Sequence, residues 1–418
     1  MKSLNIIQDH CRSPGIFSAK IWIREGSRAD PYKKAGIHSL LLSLLSRGCG
    51  PYKNEEVAEI IEGSGAEFLC ETYEDGLMLS LKCTKPESSI LLTLLDYMLT
   101  EPHLDQSQIN LERKLAIQSI NRHKENPFNL AFIQWKKLAY YNHPYNNEAL
   151  GNEKDLNSIT RDDIKSLSTK LLDRHKTIIL SGAIPKNAES CLCNIRSKSS
   201  NNLGIKDYSI PKILTKSRAK NEHRDSLAIH YQDTNQIVMI IGTLTTSHSN
   251  PDDLILRLIA CHLGTGMSSL LFKKLREENG LTYDVGVYHP IRELEAPFMV
   301  HASSSKEKSV LALKLLKKCW EDIQNIDISQ EELYLAKAKF KGNLAYNSQT
   351  ISQRAERKVH LIGMNMNKNT DSYNLKRLNY ITANELKECA LKYFKQPILS
   401  ISGPKENIDI LSDLWIPS

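Results

Sequence analysis

Arg276 and Tyr283 are the residues whose placement most suggests chemistry. They lie in Ser268-Ser-Leu-Leu-Phe-Lys-Lys-Leu-Arg276-Glu-Glu-Asn-Gly280-Leu-Thr-Tyr283, which reads as a helix ended by Gly280 and followed directly by a strand. A guanidinium fork and a phenol held near each other can hydrogen-bond an amide carbonyl, including one on which negative charge develops. Arginine at a helix C-terminus also suits the macrodipole, and tyrosine is common at a strand start, so spacing alone favours an ordinary structural pair. His38 is the second candidate, standing among Leu40, Leu41 and Leu42. A zinc site needs three or four convergent N, O or S donors, so alone this histidine reads as a core or helix-surface residue satisfying one hydrogen bond. The thirteen histidines are scattered singly. No phosphate-binding Gly-rich loop, Gly-x-Ser-x-Gly elbow, His-x-x-Glu-His motif or inverse of it occurs.

The elements that must position these residues come as a repeat. Ile159-Thr-Arg-Asp-Asp-Ile-Lys-Ser-Leu, running on to Thr177-Ile-Ile-Leu-Ser-Gly182, has a counterpart in Ile381-Thr-Ala-Asn-Glu-Leu-Lys-Glu-Cys, running on to Ile398-Leu-Ser-Ile-Ser-Gly403. Each copy reads as a Thr-capped helix with an acidic first turn, then a strand stopped by Gly. Two copies of one domain are implied. Residues 194–221, rich in Lys, Ser and Asn, read as an exposed linker between a domain over 1–193 and another over 222–418.

Within the first half, Phe17 to Arg24 alternates like a strand, and Lys33 to Ser46 reads as a buried helix. Asn54 to Gly63 reads as a helix, and Glu67 to Thr72 with Gly76 to Cys83 as a hairpin. Helical patterns follow from Glu87 to Thr100, Gln106 to Lys124 and Phe128 to Tyr141. The second half repeats the theme, with strands near Ala228 to Tyr231, Ile237 to Gly242, Asp284 to Tyr288 and Phe298 to Ala302, and with helices from Asp252 to Leu263, Ser268 to Asn279 and onward. Hairpin-joined strands beside long helices argue for an α+β sandwich in each half.

Composition narrows the function classes. In 418 residues, 55 Lys+Arg against 48 Asp+Glu leave a net charge of +7, with 41% apolar and 25% charged residues, which is the make-up of a globular chain of two or three domains. No apolar run approaches the ~18 residues of a membrane span. The N-terminus lacks the apolar core of a secretory signal, so a cytoplasmic location is expected. Nine irregularly spaced cysteines indicate neither a disulfide framework nor a zinc knuckle. The positive charge is dispersed, without basic runs interleaved with aromatics, which argues against a nucleic-acid partner.

Several runs resemble one family across nearly the whole chain: Trp22-Ile-Arg-Glu-Gly26-Ser27-Arg28, Ala35-Gly36-Ile37-His38, Gly63-Ser-Gly-Ala-Glu, His143-Pro-Tyr, Leu150-Gly151, Leu263-Gly-Thr-Gly266-Met267-Ser-Ser-Leu-Leu-Phe272, and Leu275-Arg276 through Gly280-Leu-Thr-Tyr283. Together they look like the pitrilysin/insulinase metallopeptidases, which include the mitochondrial processing peptidase. That family binds zinc through an inverted motif, His-x-x-Glu-His, and a distal Glu after a spacer of about 76 residues; the motif Glu is the general base. Laid on this sequence the motif is broken. His38 matches the first ligand, Leu41 takes the place of the base, Leu42 that of the second ligand, and Ser119 that of the distal Glu. Arg276 and Tyr283, by contrast, keep the seven-residue spacing of the family's substrate-clamping pair, which in the family faces the zinc site.

The resemblance implies two homologous α+β domains, each a largely antiparallel sheet packed with helices, related by approximate two-fold symmetry. It implies no catalytic residue and no metal in this chain, and a function as the non-catalytic, substrate-clamping subunit of a heterodimeric zinc peptidase. Zinc would then be carried by a paralogous partner chain, and the ligand would be a peptide. A homodimer is the assembly open to the chain in isolation. The alternative is a non-enzymatic assembly protein, analogous to the core subunits of the cytochrome bc complex. A third reading, a metal site rearranged around His38, would need the hairpin carboxylates Glu67, Glu71 and Glu74, whose ordinary reading is solvated hairpin and turn residues.

Overall fold

The computed structural model describes residues 4–11, 15–200, 226–324 and 328–415. Its contacts divide the chain into two compact units, one comprising 4–121, 147–200 and 346–370, the other 122–146, 226–345 and 371–415. A single cut between 1–193 and 222–418 does not reproduce these units, because each takes a helical segment from the other half of the sequence. The expected linker, 194–221, lies outside the described residues from 201 onward. Its first residues belong to the helix Cys193–Ser200, where buried Ile195 joins the core. The carboxylate of Asp96 holds that helix by accepting from the main-chain N–H of Asn194 (3.0 Å) and Ile195 (2.8 Å), as a capping anion does.

The first unit is built on β1 (Leu4–Asp9), β2 (Ile16–Ile23), β3 (Glu67–Thr72), β4 (Leu77–Thr84) and β5 (Lys176–Gly182). The strand order is β1-β5-β2-β4-β3. Only the β1/β5 pair is parallel. Period-two alternation sends β2 into two cores. Phe17, Ala19, Ile21 and Ile23 enter the main core with Leu41 and Leu42, whereas Trp22 meets Met78, Ile179, Ala355 and Val359 on the opposite face. That second face is covered by the helix Ile351–Gly363, and Lys20, buried beneath it, pairs with Glu356 at 2.8 Å. The buried helix expected over 33–46 is shorter, Ile37–Leu44. It starts late because Gly36 is left-handed (φ 91°) and packs on Gly151, where a Cβ on Gly36 would lie 2.9 Å from the Gly151 Cα and 2.7 Å from the Leu150 carbonyl oxygen. Two separated runs, Ala35-Gly36 and Leu150-Gly151, thus form one contact that only glycine tolerates.

The second unit repeats the plan with β6 (Leu227–Tyr231), β7 (Gln236–Leu244), β8 (Thr282–Tyr288), β9 (Pro297–Ser305) and β10 (Ile398–Gly403), in the order β6-β10-β7-β9-β8. Again one pair, β6/β10, is parallel. Ile237, Met239 and Ile241 of β7 enter the main core. Val238 and Ile240 face Ala131 and Trp135 of the helix Pro127–Ala139. The helices that close the two copies are capped alike. Thr160 accepts from Asp163 N–H at 3.2 Å and Thr382 from Glu385 N–H at 3.3 Å, so the capped helix, strand and Gly stop of the sequence repeat are matching structures.

Candidate functional site

Arg276 and Tyr283 occupy one corner of the second unit, where the helix before the edge strand β8 ends. This helix is not regular. Phe272–Glu277 is a π-helical turn, in which Glu278 N–H donates to the Lys273 carbonyl at 2.9 Å. The wider turn carries one residue more than an α-helical turn and re-aims the side chains at its end. Gly280, at φ 56°, then reverses the chain, and Leu281 N–H donates to the Leu275 carbonyl at 2.8 Å. A second irregularity follows at once. β8 pairs Thr282 with Ser304 but Asp284 with Ser303, so Tyr283 is the extra residue of a β-bulge, a device that turns a side chain out of the ladder. Together they bring the pair side by side. Arg276 Nη1 donates to the Tyr283 carbonyl at 3.4 Å, its guanidinium lies 5.0 Å from the Phe272 ring centroid, and the Tyr283 side chain projects into solvent, with the residue 70% exposed. The guanidinium is thereby fixed on one side by a carbonyl and an aromatic face, a cation–π and hydrogen-bonded seat that orients the fork.

The residues at the zinc-motif positions lie in the first unit and do not form a donor set. His38 is fully buried. Its Nδ1 lies 2.5 Å from Asp30 Oδ1, whose other oxygen accepts from Gly36 N–H at 2.6 Å. Its Nε2 lies 3.6 Å from Glu25 Oε1, and Glu25 pairs with Arg174. Leu41 and Leu42 are buried apolar residues beside a void of about 10 Å³ that Lys176 also lines. Burial pushes the Lys176 ammonium down to about 7. It donates to the carbonyls of Leu172 (2.6 Å) and Arg174 (3.0 Å), closing the end of the helix Arg161–Leu172. Ser119 stands exposed on the helix Gln106–Lys124, whereas Glu112 of that helix is buried and bonded to Arg47 at 2.7 Å. One imidazole already engaged by a carboxylate, two leucines and an exposed hydroxyl do not fit zinc, and among the described residues no group of three or more His, Cys, Asp or Glu is arranged to hold a metal ion. Of the hairpin carboxylates, Glu67 lies 3.6 Å from Lys82 and Glu71 accepts from the Tyr73 hydroxyl at 3.2 Å, and among the described residues neither these nor Glu74 join a group arranged to hold a metal ion. The carboxylates that surround His38, Asp30 and Glu25, were not among the sequence candidates, since nothing in their spacing marks them.

A related buried centre occurs in the second unit. Asp253 accepts from or pairs with His248 Nδ1 (2.6 Å), His289 Nε2 (3.1 Å) and Arg257 Nε (2.7 Å). Burial alone would raise its carboxyl pKa. The Arg257 guanidinium and the two histidine hydrogen bonds outweigh burial and hold it well below the ordinary value of 3.8.

Two mixed five-stranded sheets of one order, each packed with helices, define the fold class, and comparisons with known proteins place it among the peptidases. The chain belongs to the insulinase peptidase family, M16: residues 13–153 match the family described as "Insulinase (Peptidase family M16)" and residues 158–340 the "Peptidase M16 inactive domain". It is 24% identical over 342 residues to an "Uncharacterized zinc protease" of Rickettsia felis, covering 79% of this chain and 78% of the relative. It is 23% identical over 374 residues to a "Non-peptidase homolog YmxG" of Helicobacter pylori, covering 87% and 82%. The structure of a "peptidase M16 inactive domain" from Pseudomonas fluorescens superposes with a TM-score of 0.84 at 20% identity, covering 96% of this chain and 95% of that one. No helix among the described residues is long and apolar enough to cross a membrane.

Proposed function

We propose that this chain is the non-catalytic, substrate-binding half of a heterodimeric zinc peptidase, acting in the cytoplasm with a paralogous chain that supplies an intact His-x-x-Glu-His site. One observation carries the reading: Arg276 and Tyr283 are set together at an exposed corner by a π-turn and a bulge, while Leu41 stands at the general-base position and Leu42 and an exposed Ser119 at two of the three metal-binding positions. In this role Arg276 and Tyr283 donate hydrogen bonds to the peptide backbone and to the scissile carbonyl as charge develops on its oxygen, and activation of the attacking water would fall to the zinc site of the partner chain. A positively charged subunit would weakly favour peptides with acidic stretches.

The test is cleavage of a mixed peptide library, with metal content measured by elemental analysis. The isolated chain is expected to hold no stoichiometric zinc and to cleave nothing. Mixed with a relative that retains His-x-x-Glu-His and is encoded beside it, it is expected to support cleavage that falls about 100-fold in Arg276→Ala, the loss typical of removing an oxyanion donor. Hydrolysis or stoichiometric zinc in the isolated chain would overturn the proposal.

A further inference from the structure

The second unit holds a cavity of about 390 Å³ on the β7-β9-β8 face of its sheet, beside the N-terminus of the helix Pro127–Ala139. That volume is in the range of small-ligand sites. Three rings line it: Phe128, Tyr288 and His301. Phe128 meets His301 edge-to-face at 4.9 Å, and Phe132, stacked on Phe128 at 6.3 Å, meets Tyr288 at 5.5 Å. Gly286 on β8 makes room for the imidazole, since a Cβ there would lie 2.8 Å from His301 Nε2. On the floor Gln236 hydrogen-bonds Ser303. Asp284, 3.6 Å from His301 Nδ1 and largely exposed, is the only carboxylate among the described lining residues, which include no Lys or Arg. Burial keeps the His301 imidazole pKa below its ordinary value, against the pull of Asp284, so the histidine does not cancel the negative rim near neutral pH.

We propose that this pocket binds a cationic head group, a guanidinium or alkylammonium, with its apolar stem against the rings and its charge at Asp284. Aromatic faces attract a cation through their quadrupole, and a carboxylate at the mouth adds the ion pair. The same head group could arrive on a basic side chain of a bound polypeptide or on a free amino acid. The inference does not depend on the peptidase-subunit reading, for it concerns this chain alone and needs no partner.

Ligand-observed NMR titration of the full chain with the capped peptide Ac-Ala-Arg-Ala-NH2, its citrulline analogue and free arginine tests it. Saturable binding of the arginine peptide is expected, weakened about tenfold on replacing arginine by neutral, near-isosteric citrulline. Asp284→Asn should weaken it about fivefold, as an exposed ion pair allows, and Phe128→Leu should weaken it as well. Asp233→Asn, an exposed carboxylate outside the pocket, should leave it unchanged. Equal binding of the citrulline peptide, indifference to Asp284→Asn, or no saturable binding would overturn the proposal. Tighter binding of the peptide would identify a polypeptide side chain as the occupant, and tighter binding of free arginine the amino acid; both support the cationic site.

Discussion

The same corner is built twice in this molecule, and only one copy is irregular. In the first unit the helix Asn54–Gly63 leads to the edge strand β3, which pairs with β4 from Glu67 to Thr72 without a break in register. In the second, the edge strand β8 is entered through a π-turn and carries a bulge. Since the fold closes the first sheet without either device, the fold does not demand them in the second. They fall on Arg276 and Tyr283, the pair to which the proposed function assigns the peptide. The units differ less in their buried charge. Each sets a histidine on a buried carboxylate near its first core helix, His38 on Asp30 and His248 on Asp253. His38 therefore belongs to a packing device that the chain also builds where no zinc motif is aligned.

Removing Asp253 should break the likeness most severely. Asp253→Ala leaves Arg257 and two buried histidines without their carboxylate, and should cost about 4 kcal/mol in urea denaturation. The pH dependence has a definite sign. A carboxyl held well below 3.8 in the fold contributes stability that is present above the unfolded-state value and is lost as pH falls from there toward the folded value. Acid titration of stability below that pH should accordingly be shallower in Asp253→Asn than in the wild type.

Rewriting the other unit toward an active motif sharpens the contrast. Leu41→Glu with Leu42→His puts two polar groups into an apolar core whose neighbouring Lys176 already bonds two carbonyls. A loss of about 3 kcal/mol is expected, with no zinc in elemental analysis, because Ser119 and the engaged His38 still fail to complete a site. His38→Ala deprives Asp30 of one partner while the Gly36 N–H remains, and should cost about 2 kcal/mol. At the small end, Arg276→Ala and Tyr283→Phe should change thermal stability by less than about 0.5 kcal/mol, as expected for exposed side chains. A large loss at either position would instead mark the irregular corner as a structural requirement.

What could be read from sequence follows from what is local. The capping pairs Thr160 with Asp163 and Thr382 with Glu385 are three residues apart, so the repeat, its helices and its Gly-stopped strands are visible in the residue types. The hairpin of β3 and β4 is equally local. β1 escapes because its half-buried residues form an edge without clear alternation. The π-turn escapes because Phe272–Glu277 has the composition of an ordinary helix end. The helix over 127–139 is evident from its pattern, but its seat against β7 and β10 depends on residues more than a hundred positions away: Ser400 Oγ donates to the Ala131 carbonyl at 2.7 Å. At the broken motif, His38, Leu41 and Leu42 are legible as a departure from a pattern; Asp30 and Glu25, which explain the histidine's environment, become visible only in three dimensions.

The traded helices bear on how this protein can be dissected. A polypeptide ending in residues 201–225 would carry Pro127–Ala139 with no sheet of its own to receive it, and would leave Trp22 and Lys20 uncovered for want of Ile351–Gly363. The complementary fragment would have the opposite surplus and lack. Neither piece is a self-sufficient domain. Supplied together they contain every element of both units, so the halves should be recoverable by co-expression and reassembly where each fails by itself.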